Sequence, residues 1–219
     1  MTADSSTETL DETRLRLAAE LPHHAAFDGW SVGAVDAAAD VLGINRDIAR
    51  LAFDGNAVTM ISAWFASIDA AMLAALTSEA LAEMKVRGRI TALVEARLRL
   101  LAPHKEALRR ALAILAFPQN ALTTTKLGWH AADVMWRAAG DTATDYNHYT
   151  KRAILGGVYA ATLTVFLNDD SDDHADTRAF LARRIDGIMR FEKAKASLVA
   201  KSDLAFSPVR FFGRLRYPA

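Results

Sequence analysis

Apolar residues recur at three- and four-residue spacing along almost the whole chain, and two-residue alternation never persists. The pattern predicts an all-α fold of about nine or ten helices. Leu10 to Leu21 reads as a first helix, ended before Pro22, which leaves His23 and His24 in a loop. Ser31 is placed to cap Val32 to Val41, Leu42-Gly43-Ile44 reads as a tight turn, and Asn45 caps Arg46 to Phe53. Gly55 and Asn56 break the chain before a long apolar helix, Ala57 to Leu76, and Ser78 opens a short piece. Lys85 to Leu101 is ended at Pro103, and His104 to Phe117 is stopped by Pro118. Thr123 to Ala139 is followed by Gly140, a natural residue just past a helix end. Thr144 can cap Asp145 to Leu167, with Asp145 favourably set against the helix dipole. Asn168 to His174 reads as an acidic loop, and Asp176 to Lys201 as a long charged helix. A break at Ser202-Asp203 and Pro208 precedes the tail.

Four regions follow from this reading. Residues 1–8 are expected to be disordered, 9–56 form a helix-turn-helix-like module, 57–201 a helical domain, and 202–219 an amphipathic tail. No run is expected to be long and apolar enough to span a bilayer; Ile154 to Leu167 is too short and follows Lys151 and Arg152. The N-terminus carries neither secretory-signal nor transit-peptide character. The expectation is a cytoplasmic protein, bacterial or already processed. There is no cysteine, which excludes disulfides and thiolate metal sites. Lys+Arg and Asp+Glu are both 26, so bulk charge selects no partner.

Ser31 to Phe53 matches the pattern of TetR-type regulators: a capped helix, a glycine turn, a short second helix and an aromatic residue. Asn45, Arg46 and Arg50 are the side chains suited to phosphates and base edges. Asp47 and Asp54 oppose phosphates, however, and the first helix adds Asp11, Glu12 and Glu20. A ligand-responsive DNA-binding repressor is therefore the alternative reading. The favoured one is a degenerate module that keeps the packing without the contacts, with no nucleic-acid partner.

Met60, Ile61, Trp64, Phe65, Ile68 and Met72 form one apolar stripe, and Leu93, Leu100, Leu101, Leu112 and Leu115 others. Ile154, Leu155, Val158, Tyr159, Leu163 and Phe166 form another, with Gly156, Gly157, Ala160 and Ala161 between them. Such stripes are core by default. Small residues at this density serve close helix approach or line a cavity, and the sequence leaves both open. His130-x-x-Asp133 and Asp145-x-x-His148 each set a carboxylate and an imidazole one turn apart. A dimetal bundle needs Glu ligands as well, and none lies between Thr123 and Leu167, so neither metal nor cofactor is expected. No nucleophile–base motif, phosphate loop or dinucleotide glycine pattern appears, and no enzymatic activity is expected.

The tail alternates aromatic and basic residues: Phe206, Arg210, Phe211, Phe212, Arg214 and Arg216. It reads as a membrane-contacting segment or as one docked on the protein's own core. The composition favours the membrane.

Aromatic and amide residues gather at one helix junction: Trp136 before Gly140, then Asp145, Tyr146, His148 and Tyr149. Asp145, His148 and Tyr149 share a helix face, as an interface anchor requires. The segments ALAILAFPQNAL, DVMWRAAGD, TDYNHYTKRAILGGVYAATL and FLARRID resemble the accessory proteins of ubiquinone (coenzyme Q) biosynthesis that are ninth in the Coq series. The resemblance runs from about Glu95 to Arg190, and the TetR-like N-terminal half is compatible with it. It implies a TetR-like, homodimeric protein that does not regulate DNA. It implies an apolar pocket for an isoprenoid quinone or phospholipid between the helices of the C-terminal half. Trp64, Leu93, Leu112, Leu115, Ile154, Leu155, Val158, Tyr159 and Leu163 are the lining candidates here. It implies contact with the demethoxyubiquinone hydroxylase through a patch that falls on Met135, Trp136, Asp145, His148 and Tyr149. His148 stands where the animal proteins of this family carry Trp. Peripheral association with a bacterial inner membrane through a C-terminal amphipathic helix completes the expectation.

Overall fold

The computed structural model describes residues 8–144 and 146–204, so Asp145 and the tail residues Phe206 to Arg216 lie outside it. The described residues form ten α-helices and no strand. They are α1 (Leu10–Asp28), α2 (Val32–Leu42), α3 (Arg46–Phe53), α4 (Ala57–Ala75), α5 (Ser78–Ala82), α6 (Val86–Leu101), α7 (Lys105–Leu115), α8 (Ala121–Ala138), α9 (Tyr146–Leu167) and α10 (Ala175–Leu204). Short 3₁₀ turns sit at the two prolines, Pro103 and Pro118, and at Asp172–His174.

Local chemistry sets most helix ends as the sequence predicts. The Ser31 Oγ accepts from the Ala34 N–H, and the Asn45 Oδ1 from those of Asp47 and Ile48. Gly43 adopts the left-handed conformation (φ 66°) that closes α2. Two boundaries differ by three residues or more. Pro22 lies inside α1, which continues to Asp28. Proline removes one N–H and crowds the preceding turn. Here Leu21, Pro22 and Ala25 are buried against the body, and that burial offsets the lost bond. His23 and His24 are therefore helical: His23 meets His104 edge-on at 4.6 Å, and His24 lies 3.2 Å from Glu20. At the other end, α10 passes through Ser202-Asp203 to Leu204 without the expected break.

One continuous core runs through both halves. α4 is its axis, packing on α1, α6, α7 and α8. Contrary to the sequence expectation, α4 is long and apolar enough to cross a membrane by length and composition. In the fold it buries Met60, Ile61, Trp64, Ile68 and Met72 instead. It also buries Asp69, which pairs with the buried Arg97 of α6. The Arg97 Nε donates to the Tyr159 hydroxyl of α9 (3.0 Å), so an ionic cluster ties three helices inside the core. Trp30 joins the first three helices to the rest. Its indole donates to the Ala107 carbonyl (3.1 Å), and its ring lies 5.2 Å from that of Trp64.

α10 is anchored at its start by Asp169. That carboxylate accepts from the backbone and hydroxyl of both Ser171 and Thr177. Burial opposes its ionisation, but these four hydrogen bonds outweigh burial and hold its pKa far below the ordinary carboxylate value.

The helix-turn-helix keeps its geometry but engages its basic side chains internally. Arg46 makes a two-pronged pair with Asp40 (2.8 and 2.6 Å), and Arg50 makes one with Asp36 (2.7 and 2.6 Å). The Asn45 amide oxygen is occupied as a cap. The outer side of α3 shows Asp47, Ile48 and Leu51.

Two outcomes are expected. In a mobility-shift and operator-selection assay at moderate salt, the protein selects no defined DNA sequence; a reproducible operator would overturn this. Asp169→Asn lowers stability at pH 7 by about 2–3 kcal/mol, or roughly 5–10 °C in Tm. The folded pKa is depressed, so this contribution is present above the unfolded value of about 3.9 and fades as pH falls below it. The gap between the melting curves of the two proteins should therefore begin to narrow below about pH 4 and close only well below about pH 3, as pH falls through the depressed folded-state value.

Candidate functional site: a cavity and an aromatic surface on one helix

The site is built around the α8–α9 junction. α8 ends at Ala138, and Gly140 reverses the chain at φ 87°. A side chain there would sit in the left-handed region and meet the Arg89 guanidinium at 3.1 Å, the group that donates to the Ala139 carbonyl. The turn presents Asp141 to α9. Arg152, 1% exposed, donates to Asp133 of α8 (2.8 Å) and to Asp141 (2.7 Å). Lys151 pairs with Asp141 at 2.6 Å, and the exposed Arg137 pairs with Asp133 at 2.7 Å. Burial opposes ionisation of both aspartates, yet their cations prevail and hold both pKa values below the ordinary range. The same balance raises that of Arg152. Across this junction Gly156 of α9 lies against the Gly128 backbone, where even a Cβ would come within 3.6 Å of its carbonyl oxygen. Some of the small residues thus serve close helix approach.

Helical geometry then sends neighbouring residues of α9 to two sides. On one side a cavity of about 360 Å³ opens between α6, α9 and α10. Its apolar wall is Val86, Ile90, Trp136, Ile154, Leu155, Ile185 and Ile188, with Arg87, Asn147, Thr150 and Lys151 as the polar members. The Trp136 indole donates to the Lys151 carbonyl (3.0 Å), and the Lys151 ammonium lies 5.3 Å from the Trp136 ring centre. On the other side His148, Tyr149 and Trp129 of α8 form a surface cluster, their ring centres 5.1 to 6.4 Å apart. Tyr149 is 61% exposed. His148 is fixed by a contact of its Nδ1 with the Ala143 carbonyl (3.0 Å). A shallow groove along α8, lined by Thr123, Lys126, Leu127, Trp129, His130 and Asp133, continues from this cluster.

Of the nine lining candidates, Ile154 and Leu155 reach the cavity. Trp64, Leu93, Leu115, Tyr159 and Leu163 are buried core, and Leu112 and Val158 pack half-buried against it. Among the patch candidates, His148 and Tyr149 come together on the surface, whereas Met135 is fully buried and Trp136 belongs to the cavity wall. Asp145 and the six tail residues lie outside the described residues. The sequence reading missed Trp129, Lys151 and Arg152, and the cavity walls Val86, Ile90, Ile185 and Ile188. The last two carried a signal: with Leu181 they recur at three- and four-residue spacing between charged positions of α10. Of the two carboxylate–imidazole pairs, Asp133 is bound by arginines and His130 lies 3.8 Å from Asp69. No group of three such ligands occurs among the described residues.

The junction yields a contrast in stability. Arg152→Met leaves two half-buried carboxylates with one cation each and removes a buried guanidinium that joins α8 to α9, and should cost about 2–4 kcal/mol. Tyr149→Ala should stay within about 0.5 kcal/mol. Thermal melts followed by circular dichroism check both.

Comparison with known proteins places these features. Residues 121–192, which contain the junction, match the COQ9 family model. The chain is 34% identical over 192 residues to the mitochondrial ubiquinone biosynthesis protein COQ9 of Bos taurus, covering 84% of this chain and 59% of that protein. It is 47% identical over 96 residues to the Rattus norvegicus protein of the same name, covering 44% of this chain and 31% of the relative. The chain thus spans between about a third and three-fifths of the length of these relatives. Among solved structures it resembles a TetR transcriptional regulator from Nitrosomonas europaea, with a TM-score of 0.61 at 21% identity over 80% of this chain and 95% of that one. The fold is therefore TetR-like.

Proposed function

From the COQ9 domain that the chain carries at residues 121–192, we propose that the protein is a lipid-binding accessory factor of ubiquinone biosynthesis rather than an enzyme. It takes the head and first part of the tail of a polyprenyl quinone intermediate into the α6–α9–α10 cavity. It then presents that intermediate to the demethoxyubiquinone hydroxylase, which docks on the Trp129, His148 and Tyr149 surface. The observation that carries this reading is the placement of an apolar cavity and an exposed aromatic cluster on the same end of α9.

An isoprenoid tail in water loses roughly 25 cal/mol for every Å² of exposed apolar surface. The isoleucine wall removes that penalty for the part it covers. A cavity of about 360 Å³ is at the small end for ligand sites, so a long tail extends beyond it. In this reading the protein works at the membrane surface as a homodimer, the state that the resemblance implies, and the aromatic and basic composition of residues Phe206 to Arg216 supports the membrane contact. The relatives bear the word mitochondrial in their names; for this chain we assign a bacterial inner membrane.

Native mass spectrometry of the purified protein tests the cavity. A co-purified prenyl quinone, or a phospholipid without net charge, is expected, and Ile154→Trp, which fills the cavity, should lose most of it. A pull-down with quinone profiling tests the surface. His148→Ala with Tyr149→Ala should keep lipid content and Tm, yet lose hydroxylase binding and accumulate demethoxyubiquinone. Normal binding and normal quinone in that stable variant would exclude the patch.

A further inference from the structure

The cavity contains a second kind of information, in its charges. Two cations line it, Arg87 and Lys151, and no carboxylate does. Each cation is nevertheless matched from outside the lining. Arg87 of α6 pairs with Asp186 of α10 at 2.6 Å. Lys151 pairs with Asp141 at 2.6 Å. Behind Lys151, the buried Arg152 is shared by Asp133 and Asp141, so those three side chains sum to one negative charge. Lys151 brings these four to zero, and the exposed Arg137, which also pairs with Asp133, adds one positive charge on the solvent side. An anion arriving at Lys151 has to compete with Asp141 for the ammonium, and one arriving at Arg87 has to compete with Asp186. A carbonyl or hydroxyl oxygen faces no such competition, because an ammonium has three donors and a guanidinium five.

We propose that the Arg87–Asp186 and Lys151–Asp141 pairs act as a charge filter at the cavity. They offer hydrogen-bond donors without net charge, and so select amphiphiles with an uncharged, oxygen-bearing head over anionic amphiphiles of the same tail. Fatty acids and phosphorylated prenols, abundant at a membrane, are thereby refused. The inference rests on the reading of this cavity as a lipid site and adds its selectivity. Asp186 is the residue that sets it on the solvent side, where it can be changed without touching the buried junction.

The test uses the full-length protein and four farnesyl compounds: a farnesyl benzoquinone, farnesyl phosphate, farnesoic acid and the headless hydrocarbon farnesene. Affinities are measured by titration calorimetry at neutral pH. The wild type should bind the quinone about tenfold or more tightly than either anion, a ratio typical of one charge-assisted contact. Asp186→Asn frees Arg87 and should raise the affinity for farnesyl phosphate about tenfold, leaving the quinone within about twofold. Adding Arg87→Gln to that variant should restore the refusal. Equal binding of quinone and anions by the wild type overturns the filter, as does an unchanged phosphate affinity in a folded Asp186→Asn. If neither farnesene nor the quinone binds a folded wild type, the cavity is no lipid site and the filter falls with it.

Discussion

Arg152 carries the arrangement on which both faces of α9 depend. A guanidinium removed from water is costly, and this one is offset by two carboxylates from α8 and its following turn, plus the His148 carbonyl at 3.2 Å. Because Asp133 and Asp141 approach from different elements, the pairing fixes the rotation of α9 as well as its distance from α8. Rotation matters more. With about 100° between successive residues, fixing Arg152 inward sends Lys151 and Ile154 to the cavity and Tyr149 to the surface. The Trp136 indole closes the clamp by donating to the Lys151 carbonyl, so sliding the helix along its axis would break this partly buried bond.

The sequence announced its helix ends because caps are local chemistry. Ser31, Asn45, Gly43 and Gly140 act within four residues of themselves, and each is found in its role. Pro22 is the informative exception, since its cost is local and its compensation is not. Leu21 and Ala25 are buried where α1 packs on α2, α3, α4 and α7, contacts that lie outside α1 itself. The cavity was hidden for a related reason. Apolar positions that line a void and those that fill a core follow the same period, so Trp64, Leu93 and Ile154 look alike until the helices are placed. Of the junction, the sequence pointed to His148 and Tyr149, which meet on the surface, but not to Arg152, whose pairing with Asp133 and Asp141 depends on how α8 and α9 are placed.

The likeness to a TetR regulator is a likeness of fold, and function has to be read from the surface. The turn at Gly43 and the cap at Asn45 are packing requirements, and they are intact. The surface is a separate matter. Between Ser31 and Asp54 there are four aspartates against two arginines. Each arginine is held by an aspartate of α2, a geometry that leaves the outer face of α3 to Asp47, Ile48 and Leu51. Electrostatic attraction to phosphates begins with a basic excess, which this module does not have.

The same economy of charge runs through the C-terminal half, for a different physical reason. A lone cation beside an apolar cavity would lose hydration and gain nothing in return. Pairing it with a carboxylate outside the wall keeps the charge solvated by its partner while the apolar stem contributes to the lining. Arg87 and Lys151 both follow this pattern, and Lys151 also lies against the face of Trp136. The cavity thus carries polar donors at its edge, each cation already paired with a carboxylate. The buried Arg97–Asp69 pair, with the Tyr159 hydroxyl, is the same solution carried into the core, where it joins α4, α6 and α9. Charge in this protein is placed to fix helices against one another, and the apolar surface that results is what remains available to a ligand.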